Sequence, residues 1–285
     1  MKATLSIRKA SSSPLTLALL AVTVLSVLPL SEASAQIVFS DTFSSNTLSN
    51  YTVTSTGSAG ITYNATSGIS GGGGLAVANS GNPSTSIASS ASFTLQTGIP
   101  NELTMSVFQR TTNNFGGTTQ AFLGISNDIS YNFGSNANAT FSAIGLALTA
   151  TQITVRSAVN GGASNNGAAT AFTGSFIAGD WLRLNAIITK PVTGNIWTVS
   201  GSLENWGQTG ASFASTVGTL AITNVTIAHA TFNDAATANF GQFGTRNQGF
   251  TAADNFSMTA VPEPSTYVLL ALGLGALFLL RRRKA

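Results

Sequence analysis

The sequence predicts an all-β protein, a two-sheet antiparallel β-sandwich over residues 36–260. Apolar and polar residues alternate at period 2 in several windows, and helical periodicity is absent between residues 37 and 259. Clusters rich in Gly, Asn and Ser separate those windows. A strand with one apolar face must bury it against a second sheet, so about ten to fourteen short strands of this kind build two packed layers.

Residues 1–35 stand apart from that body. Lys2, Arg8 and Lys9 precede an apolar run over 15–30 and the triplet Ala33-Ser34-Ala35. A cationic start, a short apolar stretch and an A-x-A-like site form a secretory signal peptide, whose helix is removed on export. Within the body, "ELTMSVFQR" sets Leu103, Met105 and Val107 on one face and Thr104, Ser106, Phe108 and Arg110 on the other. "WLRLNAII" alternates Leu182, Leu184, Ala186 and Ile188 with Trp181, Arg183, Asn185 and Ile187, and "NIWTVSGSL" aligns Trp197, Val199 and Leu203. The "KPVTGN" between them carries the Pro and Gly of a hairpin loop, so residues 181–203 read as a β-hairpin. "QAFLGIS", "SAIGLALTA", "QITVRSAV", "GTLAITNVTIAHATF" and "DNFSMTAV" are further strands, with turns such as "NGGASNNG" and "TNNFGG". The glycines at 71–74 read as a flexible loop inside one domain.

Charge is sparse and unevenly placed. The net charge of +3 and pI near 9.5 imply a basic protein, yet Lys2, Arg8, Lys9, Arg281, Arg282, Arg283 and Lys284 all lie at the chain ends. Between residues 36 and 260 five cations face seven anions, a net of about −2, which removes the clustered basic surface that nucleic acid requires. Cysteine is absent, so an exported chain is held by its core alone and has neither a cysteine nucleophile nor a thiolate metal site.

The chain closes with "VPEPSTYVLLALGLGALFLLRRRKA": a Pro-Glu-Pro triplet, an uncharged run over 264–280 and a cationic end. This three-part tail, residues 261–285, resembles a PEP-CTERM sorting signal. The resemblance implies an exported bacterial protein recognised at Pro262, Glu263 and Pro264 by an exosortase. It also implies a role at the cell surface or in the extracellular matrix, associated with exopolysaccharide or biofilm. Independently, a helix over 267–280 rises roughly 21 Å at ~1.5 Å per residue, short of a ~30 Å hydrocarbon core. Such a transmembrane helix is a marginal, temporary anchor in the inner membrane, with Arg281, Arg282, Arg283 and Lys284 holding its end in the cytoplasm. The prolines lack N–H donors, which keeps the triplet out of the last strand and out of the helix.

The body has a second resemblance. "VFSDTFSSNTLSNYTVTS", "GDWLRLNAIITK" with "NIWTVSGSLENWG", and "AADNFSMT" are similar to exported proteins with a concanavalin A-like lectin/glucanase sandwich. That resemblance implies a jelly-roll in which the first and last strands pair, bringing Asp41-Thr42-Phe43 beside Asp254-Asn255-Phe256.

Candidate chemical groups are few. A glycosidase needs two carboxylates about 5–9.5 Å apart; Glu102 and Glu204 are the body's only glutamates, on separate strands and without the E-x-D-x-x-E arrangement of such hydrolases. Glu204 neighbours Trp206, and Trp181, Trp197 and Trp206 could form a sugar platform, although core and hairpin positions are the simpler reading. His229 is the single histidine, so neither a histidine metal site nor a triad follows. Asp41, Asp128, Asp234 and Asp254 lie near Asn and Gly in loops where oxygen-rich calcium sites occur, but lack EF-hand spacing. No cofactor is expected beyond a structural calcium ion left open. The reading is a non-enzymatic exported surface or matrix protein; a lectin-like carbohydrate-binding module and then a glycoside hydrolase are the alternatives.

Overall fold

The computed structural model describes residues 36–56, 60–78, 85–94, 101–112, 119–129, 142–158, 165–191, 193–227, 238–246 and 248–262. The expected signal and membrane helices lie outside these residues. Among the described residues no helix is long and apolar enough to cross a membrane, which says nothing of strands.

The strands are β1 (Gln36–Asp41), β2 (Thr52–Ser55), β3 (Ile61–Asn64), β4 (Gly74–Val77), β5 (Thr85–Phe93), β6 (Asn101–Thr111), β7 (Ala121–Ser126) and β8 (Ala143–Leu148). They continue as β9 (Gln152–Ala158), β10 (Asn165–Ala171), β11 (Trp181–Lys190), β12 (Ile196–Asn205), β13 (Ser215–Thr226), β14 (Asn239–Arg246) and β15 (Phe250–Pro262). One sheet runs β13-β12-β11-β6-β15-β4-β3 with β1 also on β15; the other runs β10-β9-β8-β7-β14-β5-β2. Every pairing is antiparallel, as expected for a two-sheet sandwich.

Period 2 decides which side chains face inward. Leu103, Met105, Val107, Leu182, Leu184, Ile188, Trp197, Val199 and Leu203 of the first sheet pack on Leu123, Ile125, Ile144, Leu146, Ile153, Val155 and Phe243 of the second. The β11–β12 hairpin forms as read, with Leu184 opposite Leu203 and Ile188 opposite Val199.

β1 and β15 pair, Asp41 opposite Phe256, so the opening and closing segments meet. Phe43, Tyr51, Phe243 and Phe256 then close one end of the core, with Phe243 and Phe256 ring centroids 4.9 Å apart. Phe43 turns into this cluster at φ 48°, a left-handed conformation held by its N–H donating to Asp41 Oδ1 at 2.8 Å.

Four expectations change. β15 runs to Pro262, opposite Asn101, so the triplet's first residue does enter the last strand. The missing N–H is tolerated because it falls on the strand's final position. β10 occupies Asn165, Asn166 and Gly167 of a supposed turn cluster; it is an edge strand with a register shift between Asn166 and Ala169, where weak strand formers are accepted. This and the short strands near the N-terminus take the number of strands to fifteen among the described residues. Finally, the run at 71–74 is only partly loop: Gly74 opens β4, a Cβ on Gly73 would lie 2.5 Å from Phe43 O, and Gly68 N–H donates to Gly72 O at 2.8 Å, whereas Gly71 stands in open space.

Candidate functional site

The outward face of the β13-to-β3 sheet carries a second, smaller cluster. Pairing aligns Glu204 (β12), Arg183 (β11), Phe108 (β6) and Asp254 (β15) in one row. Beneath it Phe108, Trp181 and Ala252 are buried, with Ile69 and Trp206 packed on them. Alternation accounts for this: Trp181 and Arg183 point away from Leu182 and Leu184, which fill the main core.

Two loops build the rest. Trp206 leaves β12 and is held by its N–H donating to Trp181 O at 2.8 Å, while Trp181 N–H donates to Gly207 O at 2.9 Å. The loop after it approaches so closely that a Cβ on Gly210, at φ +70°, would stand 3.0 Å from Trp181 Cγ. Ser70 N–H donates to Thr209 O at 2.8 Å and fastens the β3–β4 loop to this one. Asp180 organises the base: its Oδ2 accepts Ile177 N–H and Asn205 Nδ2, and its Oδ1 accepts Gln208 Nε2, each at 2.9 Å.

On this support the Arg183 guanidinium lies 5.6 Å from the Phe108 ring centroid and 5.8 Å from that of Trp206. Trp206 Nε1 donates to Glu204 Oε2 at 2.9 Å, and the same oxygen lies 3.9 Å from Arg183 Nη1. Phe108 and Phe213 meet Trp206 edge-on at 5.2 and 6.2 Å. Phe213 is 53% exposed. The arrangement offers an aromatic surface beside a guanidinium and a carboxylate, groups that together stack on an apolar face and hydrogen-bond its hydroxyls.

The sequence candidates distribute unevenly. Of the three tryptophans, Trp181 and Trp197 are buried and Trp206 is half-buried, so a three-tryptophan platform does not form. Glu102 lies opposite Thr189 and Glu204 opposite Arg183 on β11. Six positions of strand separate them by about 20 Å at ~3.4 Å per residue, beyond the span of a glycosidase pair. Asp41 accepts Phe43 N–H and Thr47 Oγ1, and Asp254 accepts Ile69 and Asn255 N–H, so all four carboxylate oxygens are engaged. Asp128 lies elsewhere, its O accepting Gln242 Nε2. Among the described residues no three acidic or histidine side chains gather to supply the six to eight oxygens of a calcium site. His229, Asp234, Glu263, Pro264, Arg281, Arg282, Arg283 and Lys284 lie outside them.

Burial raises the Asp254 pKa although Ile69 and Asn255 N–H groups oppose it, and Asp41 adds to the rise. Burial, with Asp41 close by, also pushes the Tyr51 phenol up. Residue-by-residue reading missed Arg183 and Phe213 as partners of Trp206. It also missed Arg156 and Arg246, which share the outward face of the other sheet; burial and the Arg156 charge lower the Arg246 pKa.

Residues 260–284 match the model of the PEP-CTERM protein-sorting motif. The chain carries that sorting signal. The PEP-CTERM segment therefore starts inside β15, at Ala260, which pairs with Leu103 and Gln36. Comparison with curated proteins gives no match. Among solved structures, the chain is similar to basic winged bean lectin crystallised with Tn-antigen, at 12% identity and TM-score 0.50, covering 81% of this chain and 100% of that one. It is also similar to arcelin-5, a lectin-like defense protein from Phaseolus vulgaris, at 11% identity and TM-score 0.48, over 79% and 98% of the two chains. The sandwich is thus of the legume-lectin, concanavalin A-like kind, a statement about fold alone.

Proposed function

We propose that this is an exported bacterial surface or matrix protein, without enzymatic activity, that an exosortase sorts and cleaves at its PEP-CTERM tail. The observation that carries the reading is the sorting motif at 260–284, behind a chain that opens with a signal-peptide pattern. The tail's apolar run holds the protein briefly in the inner membrane, its cationic end inside, until processing releases the body toward exopolysaccharide. The ~20 Å offset of Glu102 from Glu204 supports a role without hydrolysis. Intact mass of the extracellular protein, with and without the processing enzyme, tests this. A chain ending near Pro264 is expected, and an extracellular form retaining Arg281, Arg282, Arg283 and Lys284 overturns it.

The second reading, carbohydrate binding, is favoured by the half-buried Trp206 and exposed Phe213 beside Arg183 and Glu204. Titration with oligosaccharides of the producer's own matrix, followed by Trp206 fluorescence, tests it; no change at millimolar sugar sets it aside.

A further inference from the structure

Among the described residues β13 closes one edge of its sheet and pairs only with β12. Its sequence, STVGTLAITNVT, contains no charge and no proline, two of the features that keep an edge strand from pairing with another; a third, irregular register, is present at Thr216–Gly218 and Leu220–Thr223. The first part of the edge is covered, since Thr173 and Gly174 N–H groups both donate to Val217 O. Beyond Gly218 no described residue pairs with it. Ile222 there is 77% exposed, and Ile196 and Ile187 of the neighbouring strands are 54% and 37% exposed. Ile187 lies opposite Ser200, which falls at the register shift between Val199 and Gly201, opposite residues 220–223 of β13. Among the described residues, backbone groups without a strand partner and an exposed apolar strip therefore share one corner of the sandwich.

We propose that this edge binds a second copy of the same chain, β13 against β13 in antiparallel pairing about Ile222. An antiparallel edge is its own complement under a two-fold axis, so each strand satisfies the other's N–H and C=O groups. The lack of charge favours a copy over a foreign partner: no like charges meet across the axis, and there is no charge for a different protein to match. Ile222 then faces Ile222 of the second copy, which removes both from water. Residues 219–226 cover less than the ~800 Å² per partner of a standard interface, so the dimer is weak in solution and gains strength where copies are concentrated at a surface.

The test uses the absence of cysteine. In the exported protein Ile222→Cys is the only thiol, and residues paired directly across an antiparallel ladder lie within disulfide reach. Under mild oxidation Ile222→Cys is expected to form covalent dimers about tenfold or more faster than Ile177→Cys, which is 67% exposed on the linker before β11. The wild type should sediment as a monomer–dimer mixture at about 0.1 mM, and Ile222→Lys as a monomer with unchanged melting. A monomeric wild type at that concentration, or equal crosslinking rates for the two cysteine variants, overturns the proposal; the first result leaves the edge to a strand from another protein.

Discussion

Asp254 Oδ2 accepts the backbone N–H of Ile69 at 2.7 Å, joining positions 185 residues apart. The bond ties the β3–β4 loop to the last strand beneath Trp206, so the candidate site rests on a buried carboxylate. A carboxyl whose pKa is higher in the folded than in the unfolded chain binds more protons when folded. Its contribution to stability is complete below the unfolded value of ~3.9 and is lost as pH rises through the folded value. The melting temperature of the wild type minus that of Asp254→Asn should therefore increase as pH is lowered from neutrality toward the carboxylate range. A difference that is flat or shrinks refutes the role given to Asp254.

Phe213 should matter for binding and little for folding. Phe213→Ala is expected to weaken saccharide binding roughly three- to tenfold, the size of one aromatic contact, with melting unchanged. Arg183→Lys should weaken it as well, because lysine cannot lie flat against the rings of Phe108 and Trp206. Calorimetric titration distinguishes these outcomes.

Asp180 accepts three hydrogen bonds at the base of the same loop, from Ile177, Asn205 and Gln208. Asp180→Ala leaves the buried Asn205 Nδ2 without this partner and should cost about 1–3 kcal/mol in urea unfolding. A blue-to-red shift in tryptophan emission should accompany it, since Trp206 sits on the released loop; unchanged emission contradicts that placement.

Gly124 of β7 and Gly145 of β8 stand opposite each other in the other sheet. A Cβ on Gly124 would lie 2.7 Å from Gly145 Cα, and one on Gly145 would lie 2.3 Å from Leu123 O. Neither backbone has room to move in strands buried on both faces. Gly124→Ala or Gly145→Ala should each destabilise by about 1–3 kcal/mol or more, measured by chemical denaturation.

Most of the main core was legible in the chain. Leu103, Met105 and Val107, or Trp197, Val199 and Leu203, declare their common face by period 2, and "KPVTGN" declares the hairpin. β7 and β8 were legible as strands, but their burial on both faces was not, because a short apolar run looks alike whether one or two layers cover it. β10 was hidden because an edge strand needs little propensity of its own. The site was legible only as Glu204 beside Trp206. Their closeness in sequence revealed that pair, whereas Arg183, Phe108 and Phe213 come from other stretches.

The division has one physical cause. Alternation, turn residues and the order of proline, apolar run and cations are local properties, readable in a window shorter than the segment they describe, so strand identity and the sorting tail follow from the chain directly. The row Glu204–Arg183–Phe108–Asp254 depends on which strands become neighbours and in what register, and a one-residue slip would turn every one of those side chains to the other face. Register is settled by burial of the whole apolar set on both sheets together. The aromatic site, the Ile69–Asp254 tie and the open β13 edge consequently exist only once the sandwich has closed.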